Sequence, residues 1–439
     1  MYRRRRSTQT GLGLLLACAA IVLFALGLAP FGQGRAEAQA NVHNPRLTPY
    51  HYANPAPKQA DIKATLTLMA SRPSRTLPLW TFSVNSSRDG TTYTGVMVGA
   101  TPFSRKAKGK TDIDVPTYVV PLIIVTHTIV TSVDFSTGNM TTVPGVTTFD
   151  PTIADACLTP PNNVTTELVA ESPILQPATF SFGGTNVGNT QYIDAFQRGN
   201  FWQVLVDNGI TNHYHVRLNP ARFLAPIVID VPAEKGVTGT DPLVFGPPPI
   251  CPPFGIVDIE WFDNYLTSTV IPALAAQGIN PSNLPIFLVH NVVWAFPPAN
   301  NLFDCCVLGY HNATGLPIQT YTADDFDTSA FFLSSALNDS AILSHEVGEW
   351  MDDPFVNNAT PPWGHTGQVP GCQNNLEVGD PLTGTEYPAV VMPNGFTYHL
   401  QELAFFSWFY GAPSIGINNW FSDNGTFVTD AGPPCVSGP

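Results

Sequence analysis

From Leu79 onward the apolar residues fall into short blocks separated by turn formers. Residues 80–84, 93–98 and 118–130 are rich in β-branched and aromatic side chains, the composition of strands. Asp89-Gly90 between the first two is a hairpin signal. Shorter runs near Thr147 and over 214–218 also read as strands, and the strongly apolar run 284–295 as a buried one. Helical patterns cover 191–206 and 258–277, the latter stopped by Gly278 and Pro281 and kinked at Pro272. A further helix leads into Asp353-Pro354, where the residue before proline leaves helical space; Asp339 is its expected N-cap. Six prolines between Pro242 and Pro253 make 241–255 a loop. The pattern predicts an α+β fold, with a mixed or antiparallel sheet packed on a few helices.

The first residues break this texture. Arg3 to Arg6 precede an apolar stretch over 12–29 and small-residue sites at Ala36-Glu37-Ala38 and Ala38-Gln39-Ala40. Residues 1–40 therefore read as a cleaved secretory signal peptide, which makes the protein secreted or extracytoplasmic and not membrane-bound afterwards. Residues 41–78 are proline-rich and read as an extended arm. A β-rich lobe over 79–250 and an α+β lobe over 251–439 are expected to follow.

Charge narrows the partners. Removing residues 1–40 takes away five arginines and one glutamate, leaving 14 basic and 32 acidic side chains and a net charge of −18. Nucleic acid and anionic membranes are poor partners for such a chain. Six cysteines remain, Cys157, Cys251, Cys305, Cys306, Cys372 and Cys435, an even number that reads as disulfides in an exported protein. Adjacent Cys305 and Cys306 are expected to bridge to two different partners.

The chemistry concentrates late in the chain. Five of the ten glutamates and three of the ten histidines lie between residues 345 and 402. The core of this cluster is Ser344-His345-Glu346-Val347-Gly348-Glu349, an H-E-x-x-E sequence. On a helix, His345 and Glu349 project from one face one turn apart, with Glu346 about 100° to the side. This is the geometry of the H-E-x-x-H zinc helix, with a carboxylate in place of the second imidazole. His345 and Glu349 are candidate metal ligands, and Glu346 is the candidate base that deprotonates water. A helix turn cannot close a metal site alone. Glu377, in Glu377-Val378-Gly379-Asp380, is the expected third ligand, with Asp380 and Asp352 as alternates and Asp380 also a possible hydrogen-bond partner for His345. His399, Tyr398 or Tyr387 are candidates to steady an oxyanion. One nitrogen and several oxygens suit Zn²⁺ first, and are compatible with Mn²⁺, Fe²⁺ or Ca²⁺. His213 and His215 could form a second metal pair but read first as histidines of a solvated strand face; His311, which the Cys305-Cys306 and Gly309-Tyr310-His311 segment could bring near the helix, reads by itself as structural.

These residues resemble the secreted HExxE proteins that include the EXORDIUM (phosphate-induced) family and bacterial relatives. The resemblance rests on Ser344, His345, Glu346 and Glu349, then Asp353-Pro354, then Glu377 with Asp380, and on Cys305, Cys306 and Gly309-Tyr310-His311 upstream. It spans about residues 285–410 and implies an exported protein with a zincin-like helix and a metal site. One departure is that Cys372 precedes the Glu-x-x-Asp segment, where the family has a cysteine after it. The expected function is an exported metal-dependent hydrolase of zincin type with one divalent metal and a peptide or extracellular polymer as substrate. The alternative is a non-catalytic extracellular protein with a metal or polar cluster at the same residues.

Overall fold

A computed structural model describes residues 57–71, 76–104, 111–245, 250–332, 334–411 and 413–436. The signal-peptide segment and the first part of the expected arm, to residue 56, lie outside the described residues. The rest of that arm differs from expectation, because Gln59–Ser71 is a helix. Its sequence carries neither proline nor glycine, and Pro57 and Pro73 flank it.

The fold is a mixed α/β arrangement built on an eleven-stranded mixed sheet. Its spine is the 22-residue strand Asp112–Val133. That strand pairs antiparallel with Met140–Phe149 and parallel with His215–Phe223, Ile227–Asp230, Gly236–Gly239 and Leu284–His290. Beyond Leu284–His290 the sheet continues in parallel to Gln319–Phe326, then antiparallel to Gly309–Thr314. Strands from both sides of residue 250 thus share one sheet.

Both faces of the sheet are covered. Val115 and Val119 of the spine, with Leu284, Ile286 and Leu288, join a core that includes Leu343, Val347, Trp350 and Met351. Val120, Leu122 and Ile124, with Phe287 and Val289, join a second core that includes Ile259, Phe262, Leu266 and Leu274. The period-2 alternation of a strand sends successive side chains to opposite faces, and coverage of both explains why Leu284–His290 is apolar throughout. The helix expected over 258–277 is two α-segments, Ile259–Tyr265 and Ile271–Ala276, joined by a π-turn at Leu266–Val270. Pro272 is the second residue of the second segment, directly after the π-turn. The run 284–295 divides at Asn291, which has a positive φ of 54°, into Leu284–His290 and Val292–Ala295.

The motif helix is Ala341–Asp352, and it stops at Asp353-Pro354. All 12 of its residues are buried. It lies over Gln319–Phe326, Gly309–Thr314 and Thr397–Gln401, and Trp350 Nε1 donates to Thr320 Oγ1 at 2.9 Å. Asp339 does not cap it. The Ncap residue is Ser340, and the Asp339 carboxylate instead accepts from the Ser340 and His399 amides.

Disulfides join Cys157 to Cys251 and Cys372 to Cys435. The remaining pair, Cys305 and Cys306, is bonded to itself, contrary to the expectation of two separate partners. Among the described residues the other four cysteines are paired with each other, which leaves adjacent Cys305 and Cys306 to one another.

Candidate metal centre

A buried helix that carries three ionisable groups on neighbouring faces must compensate them, because an unpaired charge in the interior is costly. The compensation comes from three elements. The helix supplies His345, Glu346 and Glu349. The strand Gly309–Thr314 supplies His311, and the segment after Val369–Asn375 supplies Glu377 and Asp380. In that segment Leu376 and Val378 are anchored in the core, so Glu377 between them faces the opposite way. Gly379 then brings the backbone against His345; a Cβ there would lie 2.6 Å from the ring.

Two groups of donor atoms result, sharing Glu349. In the first, His345 Nε2 is 3.1 Å from Glu349 Oε1 and 3.6 Å from Asp380 Oδ1. In the second, His311 Nδ1 is 3.4 Å from Glu346 Oε2 and 3.5 Å from Glu349 Oε2. Glu346 Oε1 lies 3.9 Å from His345 Nε2, and Glu377 Oε2 lies 3.8 Å from His311 Nε2. Either buried group could hold a metal ion. A third grouping, His365 with Cys372 and Cys435, does not offer thiolates, because its cysteines form a disulfide.

Amide side chains hold this constellation in place. His345 Nδ1 is 2.9 Å from Gln401 Oε1, and Gln401 Nε2 donates to the Gly379 carbonyl at 2.6 Å. Gln368 and Gln373 donate to the two oxygens of Asp380, the latter at 2.7 Å. Asn375 donates to Glu377 Oε1 at 2.6 Å. The backbone N–H groups of Gly379 and Asp380 both donate to Glu349 Oε1, at 3.0 and 3.2 Å.

The electrostatics are lopsided. Burial would push the Glu349 carboxyl up, but the charge of His345 and the hydrogen bonds from His311 and His345 hold it well below the usual carboxylate range. Burial pushes Glu346 up. Burial and the neighbouring Glu349 charge push Glu377 and Asp380 up as well. Asp324, buried behind Glu346, is raised well above its ordinary value by burial and the Glu346 charge. Burial opposes protonation of the two imidazoles, yet the carboxylates raise both well above the ordinary histidine value, Glu377 most for His311 and Glu349 most for His345. Burial and mutual repulsion thus push three of the four clustered carboxyls toward their neutral forms, a strain that a bound cation would relieve.

One side of the cluster adjoins a pocket. Its lining includes His345, Glu346, Gln368, Thr383 and Gln401, with apolar walls from Leu308, Phe332, Leu337 and Ile342 and from the Cys305–Cys306 disulfide. Gly309 lets its strand approach the helix, since a Cβ there would meet Glu346 Cγ at 2.7 Å.

The structure therefore sets Asp380 beside the His345–Glu349 pair, and Glu377 toward His311. Asp352, considered as an alternate ligand, is engaged elsewhere: its oxygens accept from Gln197 and Asn200, the latter at 3.1 Å. Seven residues beyond His345, it stays within about 20° of the same face but lies about 10 Å further along the axis, where it meets the helix Tyr192–Asn200. His399 pairs with Asp339 at 2.5 Å and is not part of the pocket lining. Tyr398 and Tyr387 donate to the Leu168 and Ser181 carbonyls. His311, expected to be structural, belongs to the cluster. The sequence signal that could have found it is Gly309-Tyr310-His311, where a small residue two before the histidine admits a close neighbour. His215 pairs with buried Asp194 at 2.7 Å, away from any second metal pair with His213.

Comparison with known proteins finds no matching family model, no matching curated protein and no matching solved structure.

Proposed function

We propose that the protein is an exported, metal-dependent hydrolase of zincin type that cleaves peptide bonds. His345, Glu349 and Asp380 hold a divalent ion, Zn²⁺ first, in a nitrogen-and-oxygen set suited to it. Such an ion supplies Lewis acidity toward a carbonyl oxygen and toward water. Glu346, whose Oε1 faces the same side as His345 Nε2, accepts the proton that the attacking water gives up. Burial raises its carboxyl, which suits a group that must both take and return a proton. The apolar walls of the pocket accommodate a substrate side chain. The three disulfides suit an extracytoplasmic setting, and no helix among the described residues is long and apolar enough to cross a membrane. The local resemblance to secreted HExxE proteins points the same way.

The observation that carries this reading is the buried His345–Glu349–Asp380 group at the wall of a pocket that also exposes Glu346. Elemental analysis of the purified mature protein, paired with hydrolysis of a casein-type substrate, tests it. Glu346→Gln is expected to cut hydrolysis by about 100-fold or more while the ion at His345 stays bound. Undiminished activity in that variant would remove the mechanism. A native protein that binds Zn²⁺ but cleaves nothing would instead support a non-catalytic metal-binding protein. Failure to bind any metal would end both readings.

A further inference from the structure

The donor groups around His345 and His311 are not independent, because Glu349 belongs to both. Its Oε1 faces His345 Nε2 at 3.1 Å and its Oε2 faces His311 Nδ1 at 3.5 Å. We infer that the chain holds two divalent ions side by side, bridged by Glu349, with His345 and Asp380 on the first and His311 and Glu346 on the second. The inference rests on the metal reading above and adds the second ion.

The separations carry the argument. Hydrogen bonds between such groups cluster at about 2.7–3.2 Å. Three of the four key distances, 3.4, 3.5 and 3.6 Å, lie at or beyond the long end of hydrogen bonding, and the fourth is 3.1 Å. Ligands bound at about 2.1 Å stand roughly 3.0 Å apart at the corners of an octahedron and roughly 3.4 Å apart in a tetrahedron. The four distances therefore match the edges of two coordination polyhedra that meet at Glu349.

His345 is also oriented through its far nitrogen, since Nδ1 lies 2.9 Å from Gln401 Oε1. A partner of this kind selects the tautomer and directs the other nitrogen at a metal. Charge agrees with the count. Glu346, Glu349, Glu377 and Asp380 are four carboxylates against two imidazoles, so two dications leave the group neutral with both rings unprotonated. Glu346 fits both roles. Its Oε2 lies in the second group, while Oε1, 3.9 Å from His345 Nε2, is beyond the edge distances, and Glu346 lines the pocket.

The mature protein, loaded with Mn²⁺ and freed of excess metal, is the test. Elemental analysis is expected to give about two ions per chain, and electron paramagnetic resonance an exchange-coupled signal, since bridged ions lie about 3.5–4 Å apart. This measurement needs no variant and so does not depend on one folding. His311→Ala is expected to lower the content to about one ion and leave an uncoupled signal. About one uncoupled ion in the unaltered chain would overturn the second ion and leave the single-ion reading standing. No bound ion would overturn both.

Discussion

Gln401 ties His345 to the segment that faces it: its Oε1 lies 2.9 Å from His345 Nδ1, and its Nε2 donates to the Gly379 carbonyl at 2.6 Å. The side-chain amide thereby fixes both the ring and the backbone that brings Asp380 to the ring. Gln401→Leu keeps the volume and removes both contacts. Metal affinity is expected to fall about 10–100-fold, the usual cost of losing such a partner. Titration of the metal-free variant with Zn²⁺ measures it, and an unchanged affinity would mean that packing alone orients the ring.

Gly379 is needed for space and not for conformation. Its φ of −85° is open to any residue, but a Cβ would come within 2.6 Å of the imidazole. Gly379→Ala is expected to displace His345 and lower metal content, while overpacking costs about 1–3 kcal/mol of stability. Elemental analysis with a urea unfolding curve separates the two effects. Full metal content in this variant would contradict the placement of the segment against the ring.

Asp352 gives the fold a pH dependence of its own. Burial raises its carboxyl from 3.8 to about 7, although Gln197 and Asn200 donate to it. Between those values the native state keeps a proton that the unfolded chain releases. Stability contributed by this group is therefore present below about pH 4 and is lost as pH rises toward 7, by at most about 1.4 kcal/mol per pH unit. Asp352→Asn is expected to flatten that slope. Unfolding free energies at pH 5 and 7 check it, and an equal slope in both proteins would place the proton elsewhere.

The Cys372–Cys435 disulfide spans 63 residues and leaves Gln373, next in the chain, donating to Asp380. Cys435→Ser with Cys372→Ser is expected to cost about 2–4 kcal/mol through the freed unfolded chain. It should also weaken metal binding through the loosened hairpin. If stability drops and affinity does not, Gln373 holds its position without the cross-link.

How much the residues announced differs from element to element. The motif helix and its end were legible because the spacing of His345 and Glu349 and the Asp353-Pro354 stop are both local. The strands 79–85, 92–98 and 140–149 were legible for the same reason, as were the blocks that became the spine. His311 was not. Its approach to the helix depends on Gly309–Thr314 pairing with Gln319–Phe326, a relation between strands, and the small Gly309 that admits a close neighbour does not say which neighbour. Gln368, Gln373, Asn375 and Gln401 were silent because an amide carries no charge and no characteristic spacing. The choice between Glu377 and Asp380 turned on the path of the segment after Val369–Asn375, which sets Asp380 beside His345 and Glu377 toward His311. The Cys305–Cys306 bridge followed only once the other four cysteines were seen to pair with each other.

The spine strand has a consequence for how the chain can be divided. Asp112–Val133 forms ladders with partners as early as Met140–Phe149 and as late as Leu284–His290. A protein nicked near residue 250, with the Cys157–Cys251 bridge reduced, would leave the spine in one fragment and the motif helix in the other, each without the surface it is built against. Neither half would carry the centre alone. Retention of a metal ion by a mixture of the halves would therefore report that they had annealed.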